Sequence, residues 1–247
     1  MVSPKSPPRK ADEVARELMA RIVGAEIAPG SLLPKEEELE AQFGVARSVI
    51  REAVKFLEVH KLVRPVRRRG TVVLDPRASL SPDVVATFLV PRQGKISPDF
   101  LKGVLEVRRL LDVEMMGLAA ERREPADLPS IREAANTLLQ QASVQKASVQ
   151  KAKVPDELED AILGFGLAVA RATHNPLYVM FVHWNSNAVR DLADVFASVR
   201  ASSGTHAEGI QMVVSAIESG DAAAARAMTA LYHDWAGPKI LAAAAAK

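Results

Sequence analysis

Strand character is confined to one short stretch of this chain. Leu62-Val63 and Thr71-Val72-Val73 flank a basic, glycine-containing tip and read as a two-stranded hairpin. From residue 83 onward only helical periodicity persists, in segments 83–90, 97–122, 126–150, 155–173, 176–201, 205–219 and 221–245. Breaks fall at Pro91, Pro98, Pro125, Asn175-Pro176, Gly204 and Gly220-Asp221. The pattern predicts a mainly α fold, with an all-helical bundle of about six or seven helices over residues 83–247. Aromatic residues are 4% of the chain, so Leu, Val, Ile, Ala and Met must build the core.

The front of the chain is organised differently. Residues 1–10, "MVSPKSPPRK", are rich in Pro, Lys and Ser and are expected to be a disordered tail. From Ala11 to about Ala25, Val14, Leu18, Ile22 and Val23 share one helical face. "EIAPGS" breaks that helix. "PKEEELEAQFG" predicts a second helix, with Pro34 in its first turn and Glu36, Glu37 and Glu38 at the positive end of its dipole. Leu39 and Phe43 face inward, and Gly44 stops the helix. The turn Gly44-Val45-Ala46 leads to a third helix, from about Arg47 to Val59, with Val49, Ala53, Phe56 and Leu57 as its buried stripe. The result is helix–helix–turn–helix–hairpin over residues 11–75, followed by a linker, "PRASLSP", at 76–82.

Composition narrows the function. The absence of cysteine excludes disulfides, thiolate metal sites and cysteine nucleophiles, and fits a reducing compartment. The N-terminus has no apolar core of a signal peptide, and the longest apolar run, "AILGFGLAVA", is about half the ~20 residues that span a bilayer. A cytoplasmic protein with no membrane association is expected. Residues 1–78 hold 15 Lys+Arg against 11 Asp+Glu, while the remainder holds 17 against 19. The basic front points to nucleic acid. No glycine-rich phosphate loop, Ser–His–Asp spacing or HExxH motif supports an enzyme. A small-molecule- or metal-binding enzyme with an accessory DNA-binding domain stays as the alternative reading, and a non-specific DNA binder as a third. A tandem pentapeptide, "ASVQKASVQKAK" at 142–153, reads as a slipped duplication that lengthens a helix end or loop.

A helix–turn–helix places the N-terminal residues of its second helix against base edges in the major groove. Those residues here are Ala46, Arg47, Ser48 and Arg51. Arg47 and Arg51 lie one turn apart, opposite the apolar stripe, and arginine suits bidentate contact with guanine or phosphate. Ser48 can bond a phosphate or a base edge. Arg67, Arg68 and Arg69 at the hairpin tip add a second basic point.

The stretch "LPKEEELEAQFGVARSVIREAVKFLEVHKLVRPVRRRGTVV" closely resembles the winged helix–turn–helix of the GntR family of bacterial transcription regulators. The resemblance implies DNA contacts by Arg47, Ser48 and Arg51 and by a wing at Arg67, Arg68 and Arg69, with Lys35 approaching phosphate at the second helix. Where the family's wing has Gly-Arg-Gly, this chain has Arg68-Arg69-Gly70, so Arg68 must adopt a turn that glycine usually supplies. "EVRRLLDVEMMGLAAER", "GFGLAVARATHNPLY" and "AIESGDAAAARAM" resemble the FCD effector domain of the family's fatty-acid-regulator-like branch. Together they imply a homodimer that reads an inverted-repeat operator in double-stranded DNA and answers to a small-molecule effector.

Many members of that branch hold a divalent metal through one Asp and three His. Aligned on Phe165 and Asn175, those positions are Ile162, Gly166, Ile210 and a place near Tyr232 or His233. The resemblance therefore implies a lost metal site and no cofactor, with a relocated site through His206, His233 and His183 as the other reading. Without a metal, an acidic effector needs Arg or Lys. Arg108 matches the family's inward arginine and is the candidate contact; pairing with Asp112, one turn away, is the equal alternative. Ile162, Gly166 and Ile210 would line an apolar cavity suited to an acyl or other organic acid. Tyr178 is either a pocket residue or a core residue.

Overall fold

Helix α1 (Lys10–Val23) is the first element of the computed structural model, which describes residues 9–91, 94–147, 156–203 and 206–246. The expected tail at 1–10 lies almost wholly outside the described residues. α1 buries Val14, Leu18 and Ile22 as its spacing predicts, and Ala11, Ala15 and Met19 with them. In α2 (Glu36–Phe43) the Glu38 carboxylate accepts the Lys35 backbone N–H at 3.1 Å, tying up one of the donors a helix start leaves open. Gly44 ends α2 in the left-handed region at φ 63°, which lets its N–H return to the Glu40 carbonyl at 2.9 Å.

α3 spans Arg47–Val59 and buries Ile50, Ala53 and Leu57 completely. The stripe is thus centred on Ile50, not Val49, and Phe56 is only partly covered. β1 (Val63–Val66) and β2 (Gly70–Val73) pair antiparallel, Val63 opposite Val73 and Val66 opposite Gly70. Residues 30–33 bond the free side of β2: Leu33 N–H donates to the Thr71 carbonyl at 2.8 Å, and Val73 N–H to Ser31 at 2.9 Å. β1 is therefore the outer strand, where Pro65 with no N–H is tolerated.

Two expectations about the chain beyond the hairpin are corrected. The segment 76–82 is not a free linker. A short 3₁₀ turn covers Pro76–Ala78, Ser79 Oγ donates to the His60 carbonyl at 2.8 Å, and Ser81 Oγ bonds the His60 ring. The helix expected at 83–90 does not belong to the bundle. α4 (Pro82–Leu89) packs on α1, and Val84 is fully buried in the same core as Leu18, Leu39 and Leu57. Its apolar face found a partner in the first unit, which periodicity cannot specify. The two compact units are residues 1–97 and 98–247.

The second unit consists, among the described residues, of α5 (Pro98–Arg122), α6 (Leu128–Ala147), α7 (Asp156–Ala172), α8 (Pro176–Ala188), α9 (Ala193–Ser202), α10 (His206–Ser219) and α11 (Ala222–Ala245). The duplicated segment extends α6 to Ala147; the rest of it lies outside the described residues. The single helix expected at 176–201 is two helices, joined by a 3₁₀ turn at Arg190–Leu192. No Pro or Gly marks this break. Leu192 is drawn into the core, and the break lets α8 pack on α7 while α9 packs on α11. The core is built from Ala119, Ala120, Ile131, Phe165, Val169, Ile217 and Ala225, so small side chains let the helices approach closely.

α5 and α11 form the most extensive helix pair. Gly117 makes their approach possible: a Cβ there would fall against the guanidinium of Arg226. Arg226 donates to both oxygens of Glu114 at 3.1 Å and to Glu121 at 2.8 Å, so its side chain is not free to move aside. Gly117→Ala is expected to lower unfolding free energy by about 1–2 kcal/mol, overpacking outweighing the helix-propensity gain. Gly103→Ala, on the same helix with nothing within 4 Å, is expected to raise it by up to ~1 kcal/mol. Urea midpoints of the two variants check the contrast.

Candidate functional site

In the first unit the residues expected to face DNA are on the surface. Ala46 is the extended residue before α3, and Arg47, Ser48 and Arg51 are exposed on the side opposite Ile50, Ala53 and Leu57. Arg47 is not idle. Its Nε donates to Glu36 Oε2 at 2.7 Å, with Glu40 4.0 Å away. The Glu36 hydrogen bond, then its charge, raises the Arg47 pKa above the ordinary value. The acidic start of α2 thus pairs with the first arginine of α3. Lys35, at the cap of α2, is exposed.

Arg67, Arg68 and Arg69 are the three residues between the paired Val66 and Gly70, all exposed. Arg68 has φ 62°, the left-handed conformation that its substitution for glycine demands. The loop closes through Arg69 N–H to the Val66 carbonyl at 3.0 Å. Arg64, exposed on β1, is a further basic group that the sequence reading did not single out.

The second unit contains a cavity of about 590 Å³, within the usual range of small-molecule sites. Arg108, Ile162, Gly166 and Ile210 all line it. Tyr178 does not: it is half-buried against the core of the second unit. Gly166 is close-packed, since a Cβ there would stand 3.2 Å from Val182. Most of the wall is apolar, including Met115, Met116, Leu138 and Phe165.

The polar part of the wall carries three arginines, Arg108, Arg190 and Arg200. Arg108 Nε donates to Asp112 Oδ2 at 3.2 Å and the guanidinium lies over the Phe196 ring, so Arg108 is paired as one alternative had it, at the wall of the cavity. His233 Nε2 sits 3.1 Å from the same Asp112 oxygen. Burial alone would raise the Asp112 pKa, but His233 and Arg108 overcome it and hold the carboxyl below its ordinary value. Arg200 Nη2 donates to Glu159 at 3.0 Å, while its Nε is buried without a partner. Burial pulls the Arg200 pKa down and nearby Arg108 adds to it, against Tyr232 and Glu159. Asn185 Oδ1 is likewise buried with no donor. His206, against the Tyr232 ring, is pushed down by burial and then by Arg200, which favours neutral imidazole. Arg200 and Asn185 escaped the sequence reading. The available signal was Phe196 and Arg200 four residues apart on one helix, an apolar and a cationic residue sharing a face.

The donor set does not fit the metal of the metal-binding relatives. Ile162, Gly166 and Ile210 offer no side-chain donor, and His183 is exposed and outside the cavity wall. Among the described residues no group of three or more His, Cys, Asp or Glu could hold a metal ion.

Residues 10–73 match the family described as "Bacterial regulatory proteins, gntR family", and residues 103–233 match the FCD domain. The galactonate operon transcriptional repressor of Escherichia coli is 30% identical over 171 residues, 68% of this chain and 69% of that one. An uncharacterized HTH-type transcriptional regulator of Mycobacterium tuberculosis is 26% identical over 90% of this chain and 85% of that one. Among solved structures, the one described as "Lar controls the expression of the Listeria monocytogenes agr system and mediates virulence" superposes with a TM-score of 0.61 at 17% identity, covering 97% of this chain and 98% of that one. The fold and the sequence together define a winged helix–turn–helix DNA-binding regulator with an all-helical effector domain. The chain belongs to the GntR family of transcriptional regulators, in its FCD-domain branch.

Proposed function

We propose that the chain is a homodimeric, ligand-responsive repressor acting in the cytoplasm, and not an enzyme. Two copies of α3 read the half-sites of an inverted repeat, with Arg47, Ser48 and Arg51 toward the bases and Lys35 and Arg67–Arg69 toward the backbone. An organic acid with an apolar body is held in the bundle cavity, within reach of Arg108. Its binding changes operator affinity, and by linkage the operator changes the affinity for the acid by the same factor. Repression is favoured by the similarity to the galactonate operon repressor. No described helix is long and apolar enough to cross a membrane, which accords with action on DNA in the cytoplasm.

The observation that carries this reading is a pairing of two features in two units: a solvent-facing arginine-led helix in one, and in the other a cavity of about 590 Å³ with buried polar groups. Selection from random duplex DNA, followed by native mass spectrometry of the selected complex, tests it. An enriched inverted repeat bound by two chains is expected. Enrichment of no motif, or a single chain on a single half-site, would overturn the dimeric reading.

A further inference from the structure

The first arginine of α3 stands between carboxylates. The Arg47 side chain is 62% exposed, yet its Nε donates to Glu36 Oε2 at 2.7 Å and lies 4.0 Å from Glu40 Oε1, an oxygen that is itself buried without a hydrogen-bond partner. Glu37 adds its charge to the same field. No hydrogen bond engages Arg47 Nη1 or Nη2 among the described residues. A guanidinium can meet guanine O6 and N7 through Nε and one Nη, or through both Nη groups. Arg51, exposed and held by no ion pair among the described residues, keeps either mode. Arg47, with Nε taken by Glu36, keeps only the second. Its charge is also cancelled locally, one guanidinium against two carboxylates within 4.0 Å. Such a group gains little from phosphates met at random, and more from a base edge that fits both Nη groups. In water an exposed pair of this kind contributes little, but in a desolvated groove a hydrogen bond to a charge strengthens.

We infer that Glu36 is a specificity-determining residue that never touches DNA: it sets the Arg47 guanidinium for end-on contact with a guanine and withholds it from phosphates. The inference rests on the reading of α3 as the recognition helix proposed above. The same carboxylate repels the phosphate backbone, so it lowers affinity for any duplex, and lowers it least where a guanine meets Nη1 and Nη2. Discrimination is a difference of affinities, and both effects widen it.

The test is a set of anisotropy titrations of the full chain on the selected operator, on the same operator with 7-deazaguanine, which lacks N7, at one half-site guanine at a time, and on a random duplex of equal length. One such replacement should weaken binding roughly fivefold or more, and Arg47→Ala should remove that penalty, which locates the base. Glu36→Ala should tighten binding to the random duplex severalfold, with a salt slope steeper by about one per subunit. It should also shrink the 7-deazaguanine penalty at the located base, so that the ratio of operator to random affinity falls roughly tenfold. Glu36→Gln loses the charge but keeps an acceptor. It should match Glu36→Ala on random DNA and recover part of the penalty. A folding defect scales both affinities alike and leaves their ratio unmoved, so the ratio reports the contact and not the fold. An unchanged ratio in Glu36→Ala, or a full 7-deazaguanine penalty there, would overturn the role of Glu36 and leave α3 as the reading helix. A panel in which Arg47→Ala removes no penalty at any guanine would overturn the base contact of Arg47, and this inference with it.

Discussion

Alanine at Arg51 is expected to lower operator affinity by about 1–3 kcal/mol for each recognition helix engaged, so a twofold-symmetric complex should lose on the order of a hundredfold or more. Arg51 is exposed and its removal opens no cavity, so the circular dichroism melt should not move. Arg47→Ala should do at least as much harm for an added reason. Arg47 neutralises Glu36 at 2.7 Å and faces Glu40 at 4.0 Å. Deleting it removes a donor and also leaves two carboxylates without their partner at the start of α3, where the proposed reading places DNA. Glu36→Gln in the Arg47→Ala background should therefore recover part of the loss, whereas Glu36→Gln paired with Arg51→Ala should recover little. Anisotropy titrations on the selected operator at one fixed salt concentration read all four variants. Normal binding by both single arginine variants would mean that α3 is not the reading helix.

Leu57→Ala should weaken operator binding on warming by a different route, through lost stability. Leu57 is completely buried among α1, α3 and β1, and its carbonyl accepts the Leu62 N–H at 2.9 Å where the chain turns into the wing. Leucine-to-alanine truncation at such a site costs about 2–5 kcal/mol, from lost transfer free energy and the cavity left behind. Domains of this size are stable by only about 5–15 kcal/mol, so much of the first unit's margin would go. A large drop in the urea midpoint is expected, with operator binding restored at low temperature, where the folded fraction recovers. A shift below ~1 kcal/mol would mean that Leu57 is not the centre of this core. Together the variants distinguish a lost contact from a lost fold.

The first unit was the more legible half. α3 runs over the expected Arg47–Val59, Gly44 stops α2, and Arg68 adopts the left-handed turn that its place in the wing demanded. Such features are local: caps, turn residues and dipole charges act within a few positions. Features that depend on a distant partner were not legible. The stripe of α3 is centred on Ile50, α4 joins the first core through Val84, and the 76–82 segment is pinned to His60. The break at Arg190–Leu192 has no Pro or Gly to announce it, and Leu192 is buried there. Arg108, Ile162, Gly166 and Ile210 line one cavity, while Tyr178 packs against the core.

The sequence by itself determined the helical class, the helix–turn–helix with its basic wing and the absence of donors at Ile162, Gly166 and Ile210, since periodicity, turn chemistry and residue type are written position by position. Only the tertiary structure decided that Glu36 pairs with Arg47, that Asp112 is shared by Arg108 and His233, and that Arg200 Nε and Asn185 Oδ1 are buried without a partner among the described residues. The reason is physical: whether a polar atom is satisfied depends on which groups surround it, and those groups come from helices far apart in the chain.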